Sequence, residues 1–130
     1  NTSDCISTQN FKSILRDQSS GVFNGKVIVQ KDAQKTDSNQ SNKNLLLSDN
    51  AKINSNPQLV IHADNVTCSH GSSTGEIEPD ALFYMRSRGL DEKTAKSLLI
   101  NGFASETFEK INDEEIRKYV SQQFERWVDG

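Results

Sequence analysis

Cysteine and histidine meet in one tight run, Cys68-Ser69-His70-Gly71, and His62 lies six residues upstream of Cys68, across a turn. A thiolate is a soft ligand and a neutral imidazole suits several transition metals, so the pair could bind a metal. The same two groups could act as a nucleophile and its base, which requires an approach in space that spacing alone does not supply. The plain alternative makes Cys68 the inward-pointing end of a strand and His70 an ordinary turn histidine. Both readings stand at this level. Elsewhere the chemistry is sparse. Asp113-Glu114-Glu115 is explained by complementing a helix dipole rather than by a metal. Arg86, Arg88 and Lys93 surround Gly89 and could offer a small basic patch to a partner's carboxylates, the alternative being a solvated helix end. Neither a glycine-rich phosphate loop nor a His-Glu-x-x-His helix occurs, so the chain has little to work with as an enzyme.

The elements that must position these groups come from a chain of 130 residues, enough for one domain or a piece of one. Its hydrophobic fraction of 33 % makes any core thin. A net charge of −3 argues against a broad phosphate-binding surface, so nucleic acid is not an expected partner. No apolar run approaches the roughly 18 residues that cross a bilayer, and no charged and apolar leader opens the chain. The expectation is a protein without membrane contact in a cytoplasmic, reducing setting, since two cysteines are too few for a disulfide framework. The chain opens at Asn1 on a run to Asn10 with neither helical nor strand period, and reads as an excised piece.

Two unlike parts follow from the charges. Residues 1–75 hold six acids, all aspartate, whereas eight of the twelve acids in residues 76–130 are glutamate. Aspartate competes with the backbone and suits turns; glutamate suits helices. In the first part, β-branched or leucine runs alternate with Asn/Ser/Asp/Gly clusters, giving expected strands at Val22–Gln30, Asn44–Ser48, Gln58–Ala63 and Asn65–Cys68. Continuous apolar triplets such as Val27-Ile28-Val29 fit strands covered on both faces or short buried helix segments. Their centres lie roughly 14–18 residues apart, too close for helical crossovers and compatible with successive arcs of a solenoid. A hairpin turning at Asn24-Gly25 competes. Lys31–Lys43 is either a linker or a polar ladder. In the second part Pro79 starts a helix that Gly89 ends, Asp91 caps another with Ala95, Leu98, Leu99 and Phe103 inward, and Asn112 or Asp113 starts a last one with Ile116, Tyr119, Val120, Phe124 and Trp127 inward. Ser105–Ile111 makes a possible fourth.

The runs Gly21-Val22-Phe23-Asn24-Gly25-Lys26, Ala33-Gln34-Lys35-Thr36-Asp37, Asn44-Leu45-Leu46-Leu47-Ser48-Asp49, Pro57-Gln58-Leu59, Ala63-Asp64-Asn65-Val66, Cys68-Ser69-His70-Gly71 and Ala81-Leu82-Phe83-Tyr84-Met85-Arg86-Ser87-Arg88-Gly89 stand in one order over roughly residues 5–111. Together they resemble the C-terminal part of the SufD branch of the SufB/SufD family, scaffold proteins of the SUF iron–sulfur cluster assembly machinery. The SufB branch carries a His-Glu-Ala type of sequence in place of Cys68-Ser69-His70-Gly71 and a Leu-Gln-Arg-Gly type in place of Arg86-Ser87-Arg88-Gly89, and this chain sides with SufD at both. Met85 stands where leucine is usual, and Ser72-Ser73 replace a more typical Ala-Thr.

The resemblance implies a mainly β chain with α, the C-terminal portion of a right-handed parallel β-helix followed by a small helical domain. It divides the chain into an N-terminal segment 1–20, β-helix rungs 21–77 and a helical domain 78–130. It implies a scaffold and not an enzyme, pairing with a SufB-like paralogue through the β-helix and docking a SufC-like ATPase through the helices; the basic corner at the Gly89 turn makes Arg86 and Arg88 the expected ATPase contacts. It places His70, with Cys68 beside it, at the SufB interface, where a transient iron–sulfur cluster forms in the full complex; the isolated piece is expected to hold none. The first rung, near Val22, Phe23 and Val27, needs cover from Asn1–Ser20 or from a second copy of the chain, a homodimer. His70 is expected at the surface, on a turn after the strand Asn65–Cys68. The other reading is a stand-alone metal- or redox-active β-protein using Cys68 and His70.

Overall fold

The computed structural model describes residues 4–130; the first three positions of the expected N-terminal segment lie outside the described residues. The chain divides into two compact units, one ending at Glu76 and one spanning Ile77–Gly130.

The first unit contains five parallel strands of ten residues each: β1 Ile6–Leu15, β2 Ser20–Val29, β3 Asp37–Leu46, β4 Lys52–Ile61 and β5 Thr67–Glu76. Consecutive strands alternate between two sheets, of order β1-β3-β5 and β2-β4, so each strand pairs with the strand after next. Parallel neighbours need a crossover, and here a strand of the other sheet serves as one, which is why the spacing is too short for helices. Ile6 stands opposite Asp37, Ser20 opposite Lys52 and Asp37 opposite Thr67, so equivalent positions recur after 31, 32 and 30 residues. The corners repeat with the strands: Asp4 and Lys35, in register, both take left-handed φ of 57°.

The interior is mixed. Val29, Ala33 and Ala63 form an apolar cluster with Val27, Val66 and Cys68 packed on it. Beside it, alternation along β3 turns Ser38, Gln40, Asn42 and Asn44 inward, all buried. Asn42 Oδ1 accepts from Asn44 Nδ2 at 2.8 Å, from Ser55 Oγ on β4 at 2.6 Å and from Ser72 Oγ on β5 at 3.3 Å. A buried amide is tolerated because these partners replace its lost water. Outward-facing rows are laddered too, with Asn56 donating to Asn24 at 3.2 Å and Ser69 to Asn39 at 3.0 Å.

Several expectations change. Ile6–Asn10 of the periodless opening run belong to strand β1, and most of Lys31–Lys43 belongs to β3, because pairing satisfies the backbone of polar segments that have no apolar face of their own. No hairpin forms at Asn24-Gly25; β2 runs straight through. Gly25 is there for close approach, since a Cβ would lie 2.6 Å from Gln40 Nε2 and 2.9 Å from the Phe23 ring. Phe23 is covered by Phe11 of β1, ring centroids 5.0 Å apart, whereas Val22 faces outward and is 69 % exposed. No residue from 44 to 68 is helical.

The second unit has three helices, α1 Pro79–Ser87, α2 Glu92–Phe108 and α3 Glu114–Asp129. Pro79 opens α1, and Gly89 at φ 95° lets the chain turn out of it, with Leu90 N–H reaching back to Met85 O at 3.3 Å. Asp91 and Asp113 cap α2 and α3, accepting from Thr94 N–H at 2.7 Å and Ile116 N–H at 3.0 Å. Glu114 and Glu115 fall in the first turn of α3, at the positive end of its dipole. No fourth helix separates off: Ser105–Phe108 continues α2, since Ile100 and Ala104 at i and i+4 keep one buried stripe unbroken past Gly102. That stripe is Ala95, Ile100 and Ala104, rotated from the expected one, and Leu98 is exposed. Phe108 meets Phe124 edge-on at 5.4 Å and Phe124 stacks on Trp127 at 5.9 Å, while Ile116 and Tyr119 face solvent. The small Ala95 and Ala104 allow the close approach of neighbouring helices, which decides the rotation.

Candidate functional site

Cys68 and His70 both lie within β5, so His70 is not on a turn. Gly71, Ser72, Ser73 and Gly75 suggest a turn by composition, but pairing of every residue of β5 with β3 overrides them. Glycine and serine are tolerated because β5 is the outer strand of its sheet and is paired on one side only.

Alternation puts Cys68, His70, Ser72 and Thr74 on the face that looks between the sheets. Cys68 packs against the Val29 cluster, Ser72 donates to Asn42, and Thr74 Oγ1 accepts from Asn44 Nδ2 at 3.4 Å. Ser69, of the opposite parity, bonds to the outward row. The cysteine and histidine are therefore side by side on one face, separated by two strand rises, roughly 6.6 Å between Cα atoms. Cys68 is half-buried and in no disulfide; His70 is exposed, because among the described residues no strand pairs with the outer side of β5.

One thiol and one imidazole are two donors, and His62 does not complete them. Its backbone extends the β2–β4 pairing, donating to Val29 O at 2.8 Å, and its side chain is exposed. Among the described residues no group of three or more His, Cys, Asp or Glu side chains could hold a metal ion. Cys68 and His70 are the thiol and imidazole that the structure brings together on this face.

Gly71-Ser72-Ser73-Thr74-Gly75 has the Gly-x-Ser-x-Gly spacing of a nucleophile elbow. An elbow needs a sharp strand-to-helix turn. Here the segment runs straight within β5, so the spacing carries no such chemistry.

In the second unit the expected basic patch is partly engaged by its own surroundings. Arg88 lies over the Tyr84 ring, 5.2 Å from its centroid, and Arg86 stands 4.0 Å from Glu92, which also pairs with Lys96 at 2.9 Å. The Lys96 hydrogen bond, its charge and that of Arg86 hold the Glu92 carboxyl below the usual glutamate range. Hydrogen bonds from Thr94 do the same for Asp91. Pro79, Leu82, Phe83, Arg86, Leu90 and Glu92 line an open groove of about 760 Å³ along α1 and the α1–α2 turn. Phe83 beside it is 75 % exposed. An apolar floor with an arginine and a glutamate on its rim has the composition of a protein contact surface. No described helix is long and apolar enough to cross a membrane.

Residues 1–103 match the family model described as the SufBD core domain of SUF-system FeS cluster assembly. The chain is 41 % identical over 116 residues to the iron–sulfur cluster assembly protein SufD of Escherichia coli K12, covering 89 % of this chain and 27 % of that protein. It is 48 % identical over 100 residues to an iron–sulfur cluster assembly SufBD family protein of Synechocystis, covering 77 % and 22 %. It is 46 % identical over 96 residues to the chloroplastic protein ABCI7 of Arabidopsis thaliana, covering 74 % and 20 %. The chain thus spans about a quarter of the length of the curated relatives it matches.

Proposed function

Because the chain belongs to the SufBD family of the SUF iron–sulfur cluster assembly system, we propose that it is the C-terminal part of a SufD-like scaffold subunit that lends His70 to a cluster built at a subunit interface. The carrying observation is the exposure of His70 on the between-sheet face of an outer strand, with Cys68 beside it. A scaffold of this kind does not turn over substrate itself; a separate ATPase drives it.

The parallel strands, each pairing with the strand after next at a nearly constant repeat, support reading the expected rungs 21–77 as part of a right-handed parallel β-helix that already includes β1 within the expected segment 1–20, with the helices of 78–130 as the docking domain. A SufB-like paralogue meets the β-helix, where the one-sided edge of β5 offers unpaired backbone groups to a partner strand. A SufC-like ATPase meets the helices at the groove beside Arg86 and Arg88. The setting is a reducing, cytoplasmic type of compartment.

The chemistry follows from the donor set. The nascent cluster is cargo, held by ligands of both subunits. A neutral imidazole ligates iron through one ring nitrogen, and histidine in place of cysteine leaves that position easier to vacate, which suits a site that must release its product. Cys68, half-buried against the apolar cluster, is the lesser candidate for a second donor.

The test is His70→Ala in the full-length parent, assayed with its paralogue and ATPase. The complex should remain assembled while cluster formation falls. Normal maturation of client proteins by the variant would overturn the assignment.

A further inference from the structure

Across the three-stranded sheet, Gln9, Gln40 and His70 stand in one row, Gln9 opposite Gln40 and Gln40 opposite His70. All three share the face between the sheets, and Gln40 at the centre is 2 % exposed. Its Nε2 donates to Gln9 Oε1 at 3.3 Å, so the donor side of the amide is turned toward β1. Its Oε1 is buried and has no hydrogen-bond partner among the described residues. The two polar atoms of a planar amide diverge, so with nitrogen toward β1 the oxygen lies away from that strand, and the row's other neighbour, on β5, is His70. The amide lies against Gly25 of the opposite sheet, in the space a side chain there would fill: an added Cβ would stand 2.6 Å from Gln40 Nε2. A buried acceptor without a donor is unfavourable, and an imidazole N–H is the donor that the register brings beside it.

We propose that Gln40 is the positioning residue of His70: its Oε1 accepts the N–H of the imidazole turned inward on β5. This hydrogen bond fixes the proton on one ring nitrogen and leaves the lone pair of the other directed to the open edge of the strand. A metal-binding histidine is generally oriented in this way by an acceptor on its second nitrogen. Gln40 touches no cargo and acts only through His70. Its value for cluster assembly rests on the ligand role proposed above; the hydrogen bond itself does not.

The experiment reads the tautomer of His70 by nitrogen NMR in protein carrying 15N-histidine, at about pH 8.5, above the ordinary histidine range. The chain has two histidines, and His70→Asn assigns the signals. One neutral hydrogen bond should displace the tautomer ratio of His70 from that of free imidazole by about three- to tenfold. Gln40→Met should return it to the free ratio, and Gln40→Glu, which keeps an acceptor, should preserve or strengthen the bias. A free-imidazole ratio in the unsubstituted protein overturns the proposal with no variant needed. A bias that Gln40→Met leaves unchanged also overturns it. If the methionine variant does not fold, loss of the bias in Gln40→Glu is the overturning result. None of these readouts needs metal or partner, so their failure leaves the alanine test of His70 standing, and failure of that test leaves the tautomer result standing.

Discussion

Asn42 and Asn44, two positions apart on β3, exchange amide hydrogen bonds, Asn42 Nδ2 donating to Asn44 Oδ1 at 3.2 Å and Asn44 Nδ2 to Asn42 Oδ1 at 2.8 Å. The pair joins the sheets, because Asn42 also receives Ser55 and Ser72. Asn42→Ala leaves these donors short of an acceptor and should destabilise the first unit by about 2–3 kcal/mol. Urea unfolding followed by far-ultraviolet circular dichroism measures it; a loss under about 0.5 kcal/mol would mean that water replaces the amide freely.

Two glycines should respond oppositely to the same change. Gly25→Ala forces a Cβ against Gln40 and Phe23 and should cost about 1–3 kcal/mol by overpacking. At Gly71 nothing lies within 4 Å of the added atom, so Gly71→Ala should stay within about 0.5 kcal/mol of the parent. Equal effects in thermal melts of the two variants would contradict the close packing at Gly25.

The proposed docking surface predicts that Arg86→Glu with Arg88→Glu weakens ATPase binding by about tenfold at low salt and less at high salt. Both side chains are exposed, so the helical unit should keep its fold. Calorimetric titration with the ATPase checks this, and unchanged affinity removes the two arginines from the contact.

Acid should loosen the second unit from the start of α2. Hydrogen bonds from Thr94 lower the pKa of Asp91, and pairing with Lys96 lowers that of Glu92. A carboxyl whose folded pKa is depressed stabilises the fold above its unfolded value, about 3.9 for aspartate and 4.3 for glutamate, and ceases to as pH falls through the folded one. Stability should therefore decline on acidification below about pH 4.5, and Asp91→Asn with Glu92→Gln should flatten the decline. Guanidinium midpoints at a series of pH values test it; parallel curves for parent and variant would refute it.

The helix boundaries were legible because Pro79, Gly89, Asp91 and Asp113 act locally, through φ and capping bonds. The apolar strands were legible from composition for the same reason. β1 and most of β3 were not, since Gln9, Asn10, Gln40 and Asn42 gain their strand pairing only from residues some thirty positions away. The chemistry-bearing pair was visible as Cys68 and His70, yet their shared face depends on β5 being a strand, which Gly71 and Ser72 conceal. Gln40 could not be found at all without the register, because in sequence it is one more amide in a polar run.

The inward row of Ser38, Gln40, Asn42 and Asn44 also shapes how stability varies with temperature. Exposing apolar surface on unfolding raises the heat capacity, while exposing polar surface lowers it. A unit that buries amides where most proteins bury hydrocarbon should therefore show a heat-capacity increment below the usual 12–15 cal/mol/K per residue, roughly, and a flatter stability curve. Its folding free energy would change slowly between cold and warm growth conditions, so a partner surface built on these strands keeps nearly the same population over that whole range.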